Sequence, residues 1–197
     1  PVRFRESWLI AEDAAGFFFD PKTKWTSLSE VRLSDKNGKS AGNIDLVLVS
    51  YDDKGKILDF GSLEIQAVYI SGNIRDPFET YMDQPSQRKN FSWKGHSNYP
   101  KPDFLSSSRK RLVPQILYKG GILKSWHKKQ AVALQKSFFE TLPAIPQTKK
   151  ESADLAWFIY DIIFDDNAKC YKLTLQEIVY TEFSPALERI VAPEPGP

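Results

Sequence analysis

The sequence of 197 residues holds one cysteine, Cys170, and two histidines, His96 and His127. A single thiol excludes an internal disulfide and any zinc site built on two or more cysteines. Two isolated histidines exclude a multi-histidine metal cage and give no support to a histidine-based nuclease motif. Long apolar runs are missing as well. Charge interrupts each within about ten residues, well short of the roughly 20 that a bilayer-spanning helix needs, so no membrane span is expected. No secretory signal is visible, and one cysteine agrees with a reducing cytosol. Gly120-Gly121 lacks the spacing of a phosphate loop. No serine sits in a nucleophile elbow. The sequence opens at Pro1 rather than Met, which leaves its true start open.

Hydrophobic residues make up 41% and charged residues 26%, values that exclude wholesale disorder and suit one domain with a sizeable core. Charge is unevenly spread. The formal net charge is only +2, yet residues 71–136 carry 13 Lys/Arg against four acids, a net +9 that leaves −7 for the rest. Such a block points to a polyanion partner on one face. Phe91, Trp93, Tyr99 and Trp126 are interleaved with it, which suits contact with phosphates and bases. Lys124, Lys128 and Lys129, taken alone, read as a solvated helix face.

Along the chain, residues 1–19 read as a short strand or packed arm around Phe17-Phe18-Phe19. Ser27 with Glu30 matches a capping box, so a helix or turn is expected to begin there. Residues 44–50 (IDLVLVS) are rich in branched side chains and read as a buried strand. Asp52-Asp53-Lys54-Gly55 is a turn signal. Residues 56–70 pair back as a hairpin strand, in which Gly61 marks a bulge or a close backbone approach. Residues 71–108 are polar and rich in Gly, Pro, Ser and Asn, and read as a functional loop insertion. Helical character follows to about Leu142, with breaks expected at Pro114 and Gly120-Gly121. Residues 155–164 and 171–180 read as two strands joined by an Asp-Asp-Asn turn. Cys170 reads as a packed small hydrophobe. The expected fold is α/β (α+β): a mixed sheet flanked by helices, one domain over residues 1–197.

One constellation carries chemistry. Asp45 opens the first hairpin strand, and the second carries Glu64-Ile65-Gln66. Alternation puts Glu64 and Gln66 on one side and Leu63, Ile65 and Ala67 on the other. A carboxylate and an amide thus meet in an otherwise apolar strand. Burying a lone carboxylate is costly, and a cation shared with Asp45 would remove the cost. Oxygen-only ligands select hard cations, which polarise phosphodiesters and acidify bound water. The same residues allow a plainer reading. Asp45 could cap the hairpin, Glu64 could pair with a lysine on an exposed face, and Glu30 could be only the capping-box acid.

An acidic residue opening one strand, followed by Glu-x-Lys on its partner, is the pattern of PD-(D/E)xK nucleases. Here Gln66 stands in place of the lysine. The text GNIDLVLVSYDDKGKILDFGSLEIQAVYISG resembles the NotI-type restriction endonucleases, a branch with Gln at this position. PQILYKGGILKSWHKKQAVALQKSFF is similar to that branch too. The resemblance runs from about Ser27 to Leu142. It implies a restriction-endonuclease-like core with Asp45 and Glu64 as ligands of Mg²⁺, or of Mn²⁺ as a substitute. Gln66 would sit where a lysine orients the attacking water or steadies the scissile phosphate. Glu30, 15 residues before Asp45, would match a helix acid that serves as an extra ligand or water-holder. Gln is neutral and is no general base, so charge stabilisation shifts to the metal and to nearby cations. Lys119 and Lys124 are the expected ones.

The resemblance implies a site-specific type II endodeoxyribonuclease acting on double-stranded DNA as a homodimer, in the cytoplasm of a bacterial or archaeal cell. Arg75, Arg88, Lys89, Arg109 and Arg111 are the expected groove contacts. Two alternatives stay open: a non-cleaving DNA-binding protein on a nuclease-like fold, and a low-specificity nuclease of repair or mobile-element origin.

Overall fold

The computed structural model describes residues 8–90, 92, 94–95 and 99–192. Phe91, Trp93 and His96 lie outside the described residues. Ile10, Ala11, Ala14, Phe17 and Phe18 recur at helical spacing and are buried along helix α1 (Leu9–Phe18). The segment expected as a strand or arm is therefore a helix.

Strand β1 (Lys24–Ser34) runs straight through the expected capping box. Trp25 and Ser27 are half-buried where Thr26 and Leu28 are exposed. This alternation, paired along β2 (Ser40–Tyr51), overrides the local helix-start signal. Strand β3 (Ile57–Gln66) returns as the expected hairpin with Leu46 opposite Leu63, but it ends at Gln66 rather than at the expected Ile70, and Tyr69–Ser71 pairs in a second sheet. Asp52 fixes the turn by accepting from the backbone N–H groups of Lys54 and Lys56.

The segment expected as a loop has structure of its own. It forms β4 (Tyr69–Ser71), α2 (Arg75–Asp83), α3 (Pro85–Arg88) and β5 (Lys101–Asp103), with β4 and β5 paired antiparallel. Neither α2 nor α3 buries a residue. A helix over residues 104–125, α4, follows. The Asp103 carboxylate caps it by accepting from the Ser106 N–H at 2.9 Å. The expected breaks at Pro114 and Gly120-Gly121 do not occur. Two π-helical turns, Ser108–Leu112 and Ile116–Gly120, alternate with α-helical pieces. Proline has no N–H to donate and crowds the preceding turn; the wider turn just before Pro114 takes up that misfit.

The helical stretch then stops short of Leu142. Residues 130–135 (QAVALQ) form strand β6 (Gln130–Gln135), followed by the short helix α5 (Lys136–Phe139). Strands β7 (Leu155–Asp165) and β8 (Cys170–Thr181) are the expected pair, and α6 (Phe183–Val191) closes the described chain. Six strands form one mixed sheet in the order β1-β2-β3-β6-β7-β8. The contacts β3–β6 and β6–β7 are parallel and the others antiparallel.

Helices cover both faces. Against one, α1 packs Ala14, Phe17 and Phe18 on Leu46, Leu63, Ala131 and Phe158. Against the other, Leu112 and Ile116 of α4, Phe138 of α5 and Phe183 of α6 pack on Val132, Leu134 and Trp157. The outer half of the β7–β8 hairpin extends past these helices. Cys170 is consequently exposed rather than packed. Among the described residues no helix is long and apolar enough to cross a membrane.

Candidate active site

Strand register lines up three acids. Ser29 pairs with Leu46 and Val31 with Ile44, so Glu30 falls opposite Asp45. Leu46 pairs with Leu63, which puts Asp45 one rung from the end of the ladder, level with Glu64. Leu46 and Leu63 both join the core under α1. Asp45 and Glu64 therefore belong to the opposite face, the one covered by α4. Glu30 is not a helix acid. It sits on β1 at φ 55°, a left-handed conformation uncommon for a residue with a side chain, and its carboxylate accepts from the Asn43 side-chain amide at 3.4 Å.

Asp45 is half-buried and accepts from the Ile65 backbone N–H through Oδ2 at 2.7 Å. That bond replaces the next ladder contact and fixes the carboxylate over the end of β3. Glu64 is only 2% exposed. The plain reading of an exposed ion pair therefore fails for it, although its partner is indeed a lysine. Lys119 Nζ donates to both carboxylate oxygens of Glu64 at 2.9 Å and also to the Asn43 carbonyl. Burial pushes the Glu64 carboxyl up to about 7. The Lys119 hydrogen bond and charge oppose that rise, while the negative charges of Asp45 and Glu30 add to it. Gln66 is buried on the same side of β3, and its Nε2 donates to the Ala67 carbonyl at 2.7 Å.

Asp45 and Glu64 offer only oxygen donors, which suits a hard divalent cation. Among the described residues no group of three or more His, Cys, Asp or Glu side chains is arranged to hold a metal ion.

The sequence matches the family model described as restriction endonuclease NotI over residues 1–173. The chain belongs to the NotI restriction endonuclease family. It is thus a site-specific DNA-cleaving restriction enzyme, and DNA is its partner. No curated protein matches it.

The DNA-facing cations expected for a NotI-family enzyme separate into two sets. Arg75, Lys89, Arg109, Arg111 and Lys124 are exposed, and Arg88 is half-buried. Several already have partners: Arg75 pairs with Glu79 at 2.7 Å, Arg88 donates to the Thr80 carbonyl, Arg111 stacks over the Tyr69 ring, and Lys124 donates to Ser184. Lys119 stands apart, buried under the helix. The sequence marks it as a nearby positive charge, but no local signal ties it to a glutamate 55 residues away. Sequence reasoning also missed Lys36 and Lys39. They line an open groove of about 760 Å³ with Tyr118 and Trp126, between the β1–β2 turn and α4.

Proposed function

We propose that this NotI-family enzyme is a Mg²⁺-dependent type II endonuclease of PD-(D/E)xK kind, with Asp45 and Glu64 as its metal-binding pair. The observation that carries this reading is Glu64 itself. A carboxylate held on the α4 face beside Asp45, nearly excluded from water, is an expensive feature for a fold without a use for it. Bound Mg²⁺ would supply Lewis-acid polarisation of the scissile phosphate and an acidified water. Overall, hydrolysis would join a water oxygen to phosphorus and break one phosphorus–oxygen ester bond. One water proton ends on the leaving alkoxide and the other goes to solvent. Gln66 offers amide hydrogen bonds to orient the water and carries no charge. Glu30, opposite Asp45, holds Asn43 and adds negative potential, a positioning role rather than a ligand's.

Arg109 and Arg111, exposed on the first π-turn of α4, and Arg75, Arg88 and Lys89 are the proposed contacts to phosphates and groove edges. Lys124 extends that surface. A palindromic site implies a two-fold dimer. The exposed apolar side chains Phe78 and Met82 on α2 support an interface there.

The clamp of Lys119 on both oxygens of Glu64 favours one other reading, DNA cutting without Mg²⁺ at Glu64. A digest of high-complexity genomic DNA, with Mg²⁺ and with chelator, separates the two. Discrete fragments in Mg²⁺ alone are the expected result. Bands of equal strength in chelator would remove the metal from the account. An unselective smear would remove site specificity from the Asp45–Glu64 reading.

A further inference from the structure

Gln66 leaves a gap in the charge pattern of the site. A neutral amide cannot bring positive charge to a phosphate, and here its nitrogen is engaged by the Ala67 carbonyl. One buried cation does reach the site, and it comes from another element. Lys119 Nζ donates to both oxygens of Glu64 and to the Asn43 carbonyl, so all three of its donors are used. Its side chain is 5% exposed, whereas the arginines of the same helix, Arg109 and Arg111, face solvent.

The surroundings are shaped to let this lysine in. Lys119 lies in the π-helical turn Ile116–Gly120. Such turns insert a residue into the helix and re-aim the side chains around it. Tyr118 is 66% exposed while its neighbour Lys119 is buried. Gly120 lets α4 approach closely: a Cβ there would lie 2.3 Å from a ring carbon of Phe183 and 2.7 Å from Gln130 Oε1. Gly42, at φ 106°, lies where a Cβ would come within 3.4 Å of Lys119 Cε. Stability alone is a poor reason for the pair. Buried ion pairs rarely outdo apolar side chains of similar volume, because desolvation offsets their attraction. Lysine also brings a compact charge on a flexible stem rather than arginine's rigid fork, and so can shift from one anion to a neighbouring one.

We propose that Lys119 is the lysine of this active site, delivered from α4 rather than from the Glu64 strand, where it aims the Glu64 carboxylate and supplies the positive charge at the scissile phosphate that Gln66 lacks. This rests on the reading of Glu64 as part of the cutting site. In the DNA-free protein Lys119 is a positioning residue. With DNA phosphate placed at the Asp45–Glu64 edge, its ammonium is the nearest buried cation to the developing charge.

A relocated lysine tests this. Lys119→Met, Lys119→Met with Gln66→Lys, and Glu64→Gln are compared with the parent. Genomic DNA is the probe, for cutting in Mg²⁺ and for affinity in chelator; melting midpoints are read alongside. Lys119→Met is expected to cut about a hundredfold more slowly while holding DNA within about threefold. Adding Gln66→Lys, which puts an ammonium back on the Glu64 side of β3, is expected to recover about tenfold of the loss without raising the melting midpoint. A structural salt bridge would not be rescued that way. Should Lys119→Met fail to fold, Lys119→Gln keeps the donors without the charge and is read identically. The proposal is overturned if the Lys119 variant cuts within about threefold of the parent, or if a folded variant loses cutting and the second-site lysine restores nothing. Cutting by Glu64→Gln at the parental rate would overturn the site reading itself, and Lys119 with it. A dead Glu64→Gln beside an active Lys119→Met would overturn the lysine proposal alone.

Discussion

Glu64 is the side chain on which the proposed site turns. Its raised pKa has a direct thermodynamic consequence. Folded, the carboxyl titrates near 7 rather than at the ordinary 4.5. Between those values the folded protein binds a proton that the unfolded chain has lost. The stability contributed by that proton is fully present below 4.5 and is lost as pH rises through about 7. Burial raises the value most, Lys119 opposes the rise and Asp45 and Glu30 add to it, so metal-free melting should drop across this window in the parent and lose that component in Glu64→Gln. Equal pH slopes in the two proteins would show that the carboxyl is not perturbed as described. Cation binding needs the ionised form, so cutting should climb with pH over the same range. Alternation makes Glu64 and Gln66 legible in the sequence as neighbours on one face of a strand. Glu30 is legible only as an acid at a suitable distance. Its capping-box pattern points to a helix, and strand pairing across the sheet decides otherwise.

Elements are legible where their pattern is local and strong. The β2–β3 hairpin and the β7–β8 pair show branched residues bounded by Asp-rich turns, and both stand as expected. β6 is not legible. It is central, parallel to both neighbours and buried on both faces, so QAVALQ carries no alternation and reads as easily as helix. Pro114 signals a break in the helix over 104–125. A π-turn preserves the helix, and sequence alone gives no period for that device. Gly61 is legible as a close approach, and the packing shows why. A Cβ there would sit 2.5–2.7 Å from three ring atoms of Phe18, which is buried between α1 and β3. Gly61→Ala should destabilise the fold by about 1–3 kcal/mol through overpacking. Gly16, on the solvent side of α1, would carry a Cβ with no other atom within 4 Å, so Gly16→Ala should stabilise by about 0.5–1 kcal/mol. Denaturant midpoints of the two variants check this. A neutral Gly61→Ala would mean that Phe18 yields at little cost and that α1 is not tightly seated.

At the scale of the molecule, the sheet is a platform with one working side. α1 seals one face with small and aromatic side chains. α4 covers the other and brings its buried Lys119 to Glu64. Part of the basic excess of residues 71–136 lies on α4, which holds Arg109 and Arg111 exposed and Lys119 buried. Charge partition and the acidic motif are both readable in the sequence; their meeting depends on the β3–α4–β6 crossover, which links residues far apart in the chain. The most direct measurement of the account takes Glu64→Gln, nearly unchanged in volume, and sets its cutting rate against its DNA affinity. The account predicts cutting reduced by about a thousandfold or more with affinity held within about threefold. Cutting at the parental rate by that variant would contradict it.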